Sequence, residues 1–154
     1  MGGLMVGPIR NIQIDDEVPC LVKEMTQDAI NLFEGSTGQE EPSQFTDEDA
    51  ARETLGTSGT VASGRMSLTF AIEMLRKYFG SDVFNHSGVV DLRFLRPVRP
   101  GDTITFTGKV SDMSKEANGS KVTVDIQAQN QSGNITGVGK GSAIVPNAYL
   151  PQKE

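Results

Sequence analysis

The sequence predicts a single α+β domain in which a curved antiparallel sheet wraps around one long buried helix. Three observations predict it. From Gly64 to Phe79 the residues Met66, Leu68, Phe70, Ala71, Ile72, Met74, Leu75, Tyr78 and Phe79 cover most of a helical circumference, so that helix must be covered on several sides. After it the hydrophobic period changes from 3.6 to 2, the mark of strands with one face buried and one wet. The links between those strands are short and rich in Gly, Asn, Pro and Ser, as tight turns require.

In chain order, residues 1–18 read as irregular, and Cys20-Leu21-Val22 as a short strand that tolerates Pro19 at its start. Thr26 is placed as an N-cap, with Ala29, Ile30, Leu32 and Phe33 as the apolar face of a helix ending near Glu34-Gly35. Residues 35–63 are poor in large apolar groups. Six carboxylates and one arginine fall between Glu40 and Glu53, which fits a solvated or ligand-binding loop with a short helix capped at Thr46-Asp47. The long helix closes at Gly80. Val90, Leu92 and Phe94 then alternate with Asp91, Arg93 and Leu95, and Ile104, Phe106 and Val110 alternate with Thr103, Thr105, Thr107 and Lys109. Val122, Val124, Ile126 and Ala128 form a third alternating set, and Ile135 to Val145 a fourth strand. These four are expected to meander.

The chain has 154 residues, 36% hydrophobic and 22% charged, so residues 1–154 form one domain with a core spanning about 16–146. No apolar run approaches the roughly 18 residues of a membrane span, and the N-terminus lacks the pattern of a secretory signal. A cytoplasmic, soluble protein that binds neither membrane nor nucleic acid is expected, the latter because the formal charge is −6. One cysteine, Cys20, and one histidine, His86, exclude a zinc site built from several thiolates and a His-rich metal site, and no metal is expected. Acid–base chemistry therefore falls to His86 or to carboxylates, unless Lys, Tyr or the Cys20 thiol serves.

Two stretches carry a resemblance. Asp91-Leu92-Arg93-Phe94-Leu95-Arg96-Pro97-Val98-Arg99-Pro100-Gly101-Asp102-Thr103 has the form of an F-x-x-P-V word followed by G-D-T, directly after a hydrophobic helix. Thr37-Gly38-Gln39-Glu40-Glu41-Pro42-Ser43-Gln44 and Ala62-Ser63-Gly64-Arg65-Met66 keep the frame of S-G-D-x-N-P-x-H and A-H-G-M. Together these words resemble the MaoC-like branch of the hot-dog superfamily, which includes (R)-specific enoyl-CoA hydratases and acyl-thioester dehydratases.

The resemblance implies a hot-dog fold, an acyl-CoA or acyl-carrier thioester as substrate, no cofactor beyond the coenzyme A of that substrate, and a homodimer or dimer-based assembly. It also implies an Asp–His pair that positions water. Here Gln39 stands at the aspartate and Gln44 at the histidine, while Glu41 replaces the asparagine and Ser63 the second histidine. A glutamine amide does not exchange protons at working pH. Three repairs are open: Glu40 or Glu41 as base, His86 reaching in from the connection between helix and sheet, or a site that binds without turnover. Glu40 and Glu41 are favoured because they adjoin the lost aspartate.

The backbone at Ser63-Gly64 offers helix N-terminal amides to a thioester carbonyl, and Gly64 either lets that carbonyl approach or eases the turn. Arg65 and Met66 adjoin this end, Arg65 facing a substrate carboxylate or the acidic loop. Arg93, Arg96, Arg99 and Lys109 are candidates for the phosphates of coenzyme A or for a solvated face, strand parity placing Arg93 and Arg99 opposite Arg96. The alternatives to a hydratase are a hot-dog thioesterase and a non-catalytic acyl-CoA-binding subunit. The sequons at Asn85, Asn118, Asn130 and Asn134 read as turn composition. Gly137-Val138-Gly139-Lys140-Gly141-Ser142 lacks the glycine and the Ser or Thr of a phosphate loop, and its glycines instead suit close approach of the last strand to the helix or to an acyl chain.

Overall fold

The structure is a computed structural model and describes residues 10–38, 41–56 and 59–151. In chain order these form β1 (Glu17–Glu24), α1 (Gln27–Ser36), α2 (Glu48–Leu55), α3 (Gly64–Phe79), α4 (Ser81–Ser87), β2 (Val89–Phe94), β3 (Thr103–Glu116), β4 (Gly119–Gln129) and β5 (Ile135–Pro146), followed by a 3₁₀ turn at Asn147–Tyr149. The five strands make one antiparallel sheet in the order β1-β3-β4-β5-β2, and α3 lies on its concave face. This is the α+β hot-dog arrangement.

Alternation sets the core. Ile104, Phe106 and Val110 of β3, Val122, Val124, Ile126 and Ala128 of β4, and Ala143 and Val145 of β5 are buried against Met66, Ala71, Met74, Leu75 and Phe79 of α3. Gly141 brings β5 onto the helix: a Cβ there would lie 2.2 Å from Leu75 Cδ1. The reading of that glycine as a point of close approach to the helix therefore holds.

The helix is not buried all round. Arg65, Thr69, Arg76 and Lys77 are exposed, and its flanks are half covered, with Lys23 Nζ 5.0 Å from the Phe70 ring and Arg10 Cζ 4.6 Å from the Tyr78 ring. Cations stacked on aromatic faces let these rings stay apolar beside water.

Several local expectations shift. The first strand extends to eight residues and carries a bulge between Val18 and Leu21. Helix α1 runs through Gly35 to Ser36, where the Thr37 amide bonds back to Glu34 and Gly35 carbonyls. The N-cap of α2 is Asp47, whose side chain accepts from the Ala50 amide, because Thr46 instead turns its hydroxyl to the Ser43 amide. The connection between α3 and the sheet is itself helical, α4.

The main change is topological. Only β3, β4 and β5 meander; β2 lies at the far edge, paired with β5 from Val89↔Ser142 to Phe94↔Gly137. Residues 95–102 therefore form a crossover and not a hairpin. Pro97 and Pro100 donate no ladder bonds, and a turn with Gly101 at φ 94° returns the chain to β3. Strand parity ends at Phe94, so it does not govern Arg96 and Arg99.

Candidate functional site at the start of the buried helix

The crossover passes over the N-terminal end of α3. The Ala62 amide donates to the Val98 carbonyl at 2.7 Å. Ser63, 4% exposed, caps the helix, its Oγ accepting from the Met66 amide at 3.3 Å. The amides of Gly64 and Arg65 have no acceptor within the helix, as at every helix start, and the helix dipole adds partial positive charge there. A cavity of about 300 Å³ opens at this point, lined by Ala62–Gly64 and Ser67 on one side and by residues 94–98 on the other.

Gly64 has a specific reason. A Cβ at that position would stand 2.6 Å from Cε2 of Phe94, so the missing side chain makes room for a ring that roofs the helix end. This space holds Phe94, where the sequence suggested a substrate carbonyl. Phe94 remains 48% exposed, so the ring can swing without disturbing the core.

Two further segments converge here. The Gln44 carbonyl accepts from the Val61 amide at 3.2 Å. The same loop is tied to α1 because Gln27 donates to the Phe45 carbonyl and accepts from Thr60 Oγ1. Arg65, the residue after Gly64, reaches back to α1: its Nη2 lies 3.2 Å from Glu34 Oε2. The Glu34 side chain is 1% exposed, and Oε1 has no hydrogen-bond partner among the described residues. Sequence reasoning missed Glu34, treating it as the end of a helix. The signal was its spacing, four residues after the buried Ile30 and hence on the same helical face.

The remaining candidates divide. Gln44, Ser63, Gly64, Arg65 and Arg96 gather at this end, with Arg96 on the cavity wall. Gln39 and Glu40 lie outside the described residues, and Glu41 is exposed. Met66 is 2% exposed and belongs to the core, because its position in the first turn faces the packed side of the helix. Arg93 lies on another surface with Asp91 and Lys140. Arg99 is half-buried, its Nη1 close to Gly59. His86 is on α4, in a cleft with Glu116 and Asn118. That places it at the opposite end of α3 from Ser63, about 24 Å of helix away at 1.5 Å per residue, so the idea that it reaches the Ser63 end from its own chain is corrected. The three arginines do not form one patch.

A pocket with open helix amides, a hydroxyl cap and an aromatic roof can hold a polar carbonyl and polarise it. Comparison with known proteins agrees with this architecture. The family described as MaoC like domain matches residues 13–132. Among solved structures, a monoamine oxidase regulatory protein from Archaeoglobus fulgius is 27% identical, covering 93% of this chain and 98% of its own, with TM-score 0.76. A MaoC-like dehydratase from Rhodospirillum rubrum is 20% identical over 88% of this chain and 93% of its own, with TM-score 0.70. An (R)-hydratase from A. caviae involved in PHA biosynthesis is 17% identical over 88% and 98%, with TM-score 0.69. No curated protein sequence matches. With most of its length matched and the fold shared, the chain belongs to the MaoC-like domain family.

Proposed function

We propose that the protein adds water to, or removes it from, the carbon–carbon double bond next to an acyl thioester carbonyl. The observation that carries this reading is the cavity of about 300 Å³ that the start of α3, Ala62–Gly64 and Ser67, lines together with residues 94–98. Hydration builds negative charge on the thioester oxygen as the enolate forms, and free amides at a helix start stabilise that charge. The exposed Arg96 on the same wall suits a phosphate or carrier group at the mouth. Strand β2 leaves one edge without a partner strand among the described residues, with Val89 61% exposed. A second copy pairing in a dimer would cover such an edge.

The test is to incubate the full chain with α,β-unsaturated acyl-CoA thioesters of short, medium and long chain and to follow loss of the conjugated double bond. Formation of 3-hydroxyacyl thioester is the expected result. Release of free coenzyme A thiol would instead identify a thioesterase. Binding without turnover would favour the non-catalytic subunit, a reading that the glutamines at positions 39 and 44 keep in view.

A further inference from the structure

We infer that β2 pairs through its free edge with β2 of a second copy, in one register selected by Asp91 and Arg93. The inference rests on the reading above that a second copy covers this edge, and deepens it. Val89, Asp91 and Arg93 stand opposite Ser142, Lys140 and Val138 of β5, and a Cβ on Gly141, Gly139 or Gly137 would meet their respective carbonyls. Hydrogen-bonding groups alternate between the two sides of a strand in an antiparallel ladder. Val90, Leu92 and Phe94 therefore turn their amides and carbonyls to the side of β2 that has no strand among the described residues. The other edge of the sheet, β1, is guarded by Pro19, by the bulge between Val18 and Leu21, and by Glu17, Lys23 and Glu24, the devices that keep an edge from pairing. Strand β2 has neither a proline nor a bulge.

Symmetry and charge fix the register. A two-fold axis across joined strands keeps each sheet face on its own side, so a residue can oppose only its equivalent or one an even number of places away. Centring on Leu92 sets it against the partner's Leu92, Val90 against the partner's Phe94 and Asp91 against the partner's Arg93, with the reciprocal pairs beyond the axis. The outward groups of Val90, Leu92 and Phe94 are then all bonded. Asp91 and Arg93 are exposed and make no salt bridge among the described residues. Lys140, which faces Asp91 from β5, is engaged by Asp125. Toward the partner, Asp91 and Arg93 occupy non-hydrogen-bonded positions, where opposed side chains come closest. Centring on Asp91 or on Arg93 would instead set two like charges face to face, which destabilises a pair.

The same register reaches the cavity. Val90 and Leu92 pack against the core and the Phe94 ring lies beside Gly64, so these three side chains share the concave face. Phe94 lines the cavity, and the partner's Val90 stands next to it on that face, so each copy adds a wall residue to the other's cavity. Val89, 61% exposed, meets the start of the partner's crossover at Leu95, 49% exposed, which takes apolar surface out of water at both ends of the seam.

The experiment measures dimerisation of full chains by sedimentation over a range of concentrations. Asp91→Arg and Arg93→Asp are each expected to weaken dimerisation about tenfold or more, because each sets like charges against one another on both sides of the axis. Mixed together, the two variants are expected to form a heterodimer within about threefold of wild-type affinity, since every charge pair across the seam is then opposite in sign. A wild-type dimer that neither variant weakens, or a loss that mixing does not rescue, would overturn the register and leave the dimer standing. A wild-type chain that stays monomeric would overturn both. Oxidation reads the register directly, with Cys20→Ser in every chain. Leu92→Cys is expected to cross-link to its copy, the two Cα atoms being about 5.5 Å apart. Asp91→Cys and Arg93→Cys, about 8 Å from their equivalents, are expected to stay reduced. Cross-linking through either of these and not through Leu92→Cys would also overturn the assignment.

Discussion

The two ends of α3 are built from the same helix and differ in how they are finished. At the C-terminal end, Phe79 packs edge-on to Tyr78 at 5.0 Å and stacks with Phe84 of α4 at 6.4 Å. Gly80 closes the helix with its amide on the Arg76 carbonyl. At the N-terminal end, amides stand open, Phe94 half-roofs a cavity, and the buried carboxylate of Glu34, paired with Arg65, keeps one oxygen without a partner among the described residues. The first end gains stability from apolar packing. The second retains polar groups that cost stability, which is where binding and chemistry are expected.

The contrast breaks most sharply at Phe79. Phe79→Ala should destabilise the fold by about 3–5 kcal/mol, read by urea unfolding, while the activity of each folded molecule stays unchanged. An equal loss of catalytic rate per folded molecule would mean that the two ends are coupled through the helix. The next largest effect belongs to the other end. Arg65→Gln leaves Glu34 buried without its cation and should cost about 1–3 kcal/mol, measured in the same way. No change would show that Glu34 gains little from the pairing.

Gly64→Ala sharpens the picture of the roof. The new methyl displaces the Phe94 ring, so the expected stability cost is below about 1.5 kcal/mol because the ring is exposed enough to move. Thioester binding should weaken, and adding Phe94→Leu should restore it. A double variant as weak as the single one would argue against the ring as the cause.

The smallest expected effect lies on the outer face, far from either end. Asp125 and Lys140 face each other across β4 and β5 with Oδ1 and Nζ 2.5 Å apart, and the Lys140 hydrogen bond holds the carboxyl below its ordinary value of 3.8. A carboxyl whose folded value is depressed contributes stability above its unfolded value and loses it as pH falls through the folded one. Asp125→Asn should therefore cost about 0.2–1 kcal/mol near neutrality. The gap between variant and wild type should begin to narrow below about pH 5 and close as the pH falls through the folded carboxyl's value, which lies below 3.8. A gap that persists in acid would assign the effect to packing and not to charge.

Much of the fold was legible from local pattern. The alternation of Ile104 and Phe106 or Val122 and Val124 follows from one buried face, and the bounds of Gly64–Phe79 from a continuous apolar helix closed by Gly80. Ser63 and Gly64 were found because a family word and a helix start coincide there. Glu34 was not, because its burial depends on what α1 lies against. His86 was misplaced because a connection read as a loop folds into α4, which keeps the residue at the far end of the helix.

By itself the sequence determined the class of the domain, the long helix, the alternating strands and the words that mark the family, all of which are encoded by neighbours within a few residues. Tertiary structure alone decided that β2 joins β5 at the far edge, that residues 94–98 roof the helix start, and that Arg65 meets a carboxylate 31 positions earlier in the chain. The physical reason is range. Periodicity records which face of a segment is dry, but which distant segment dries it is settled only when all the apolar faces are buried together.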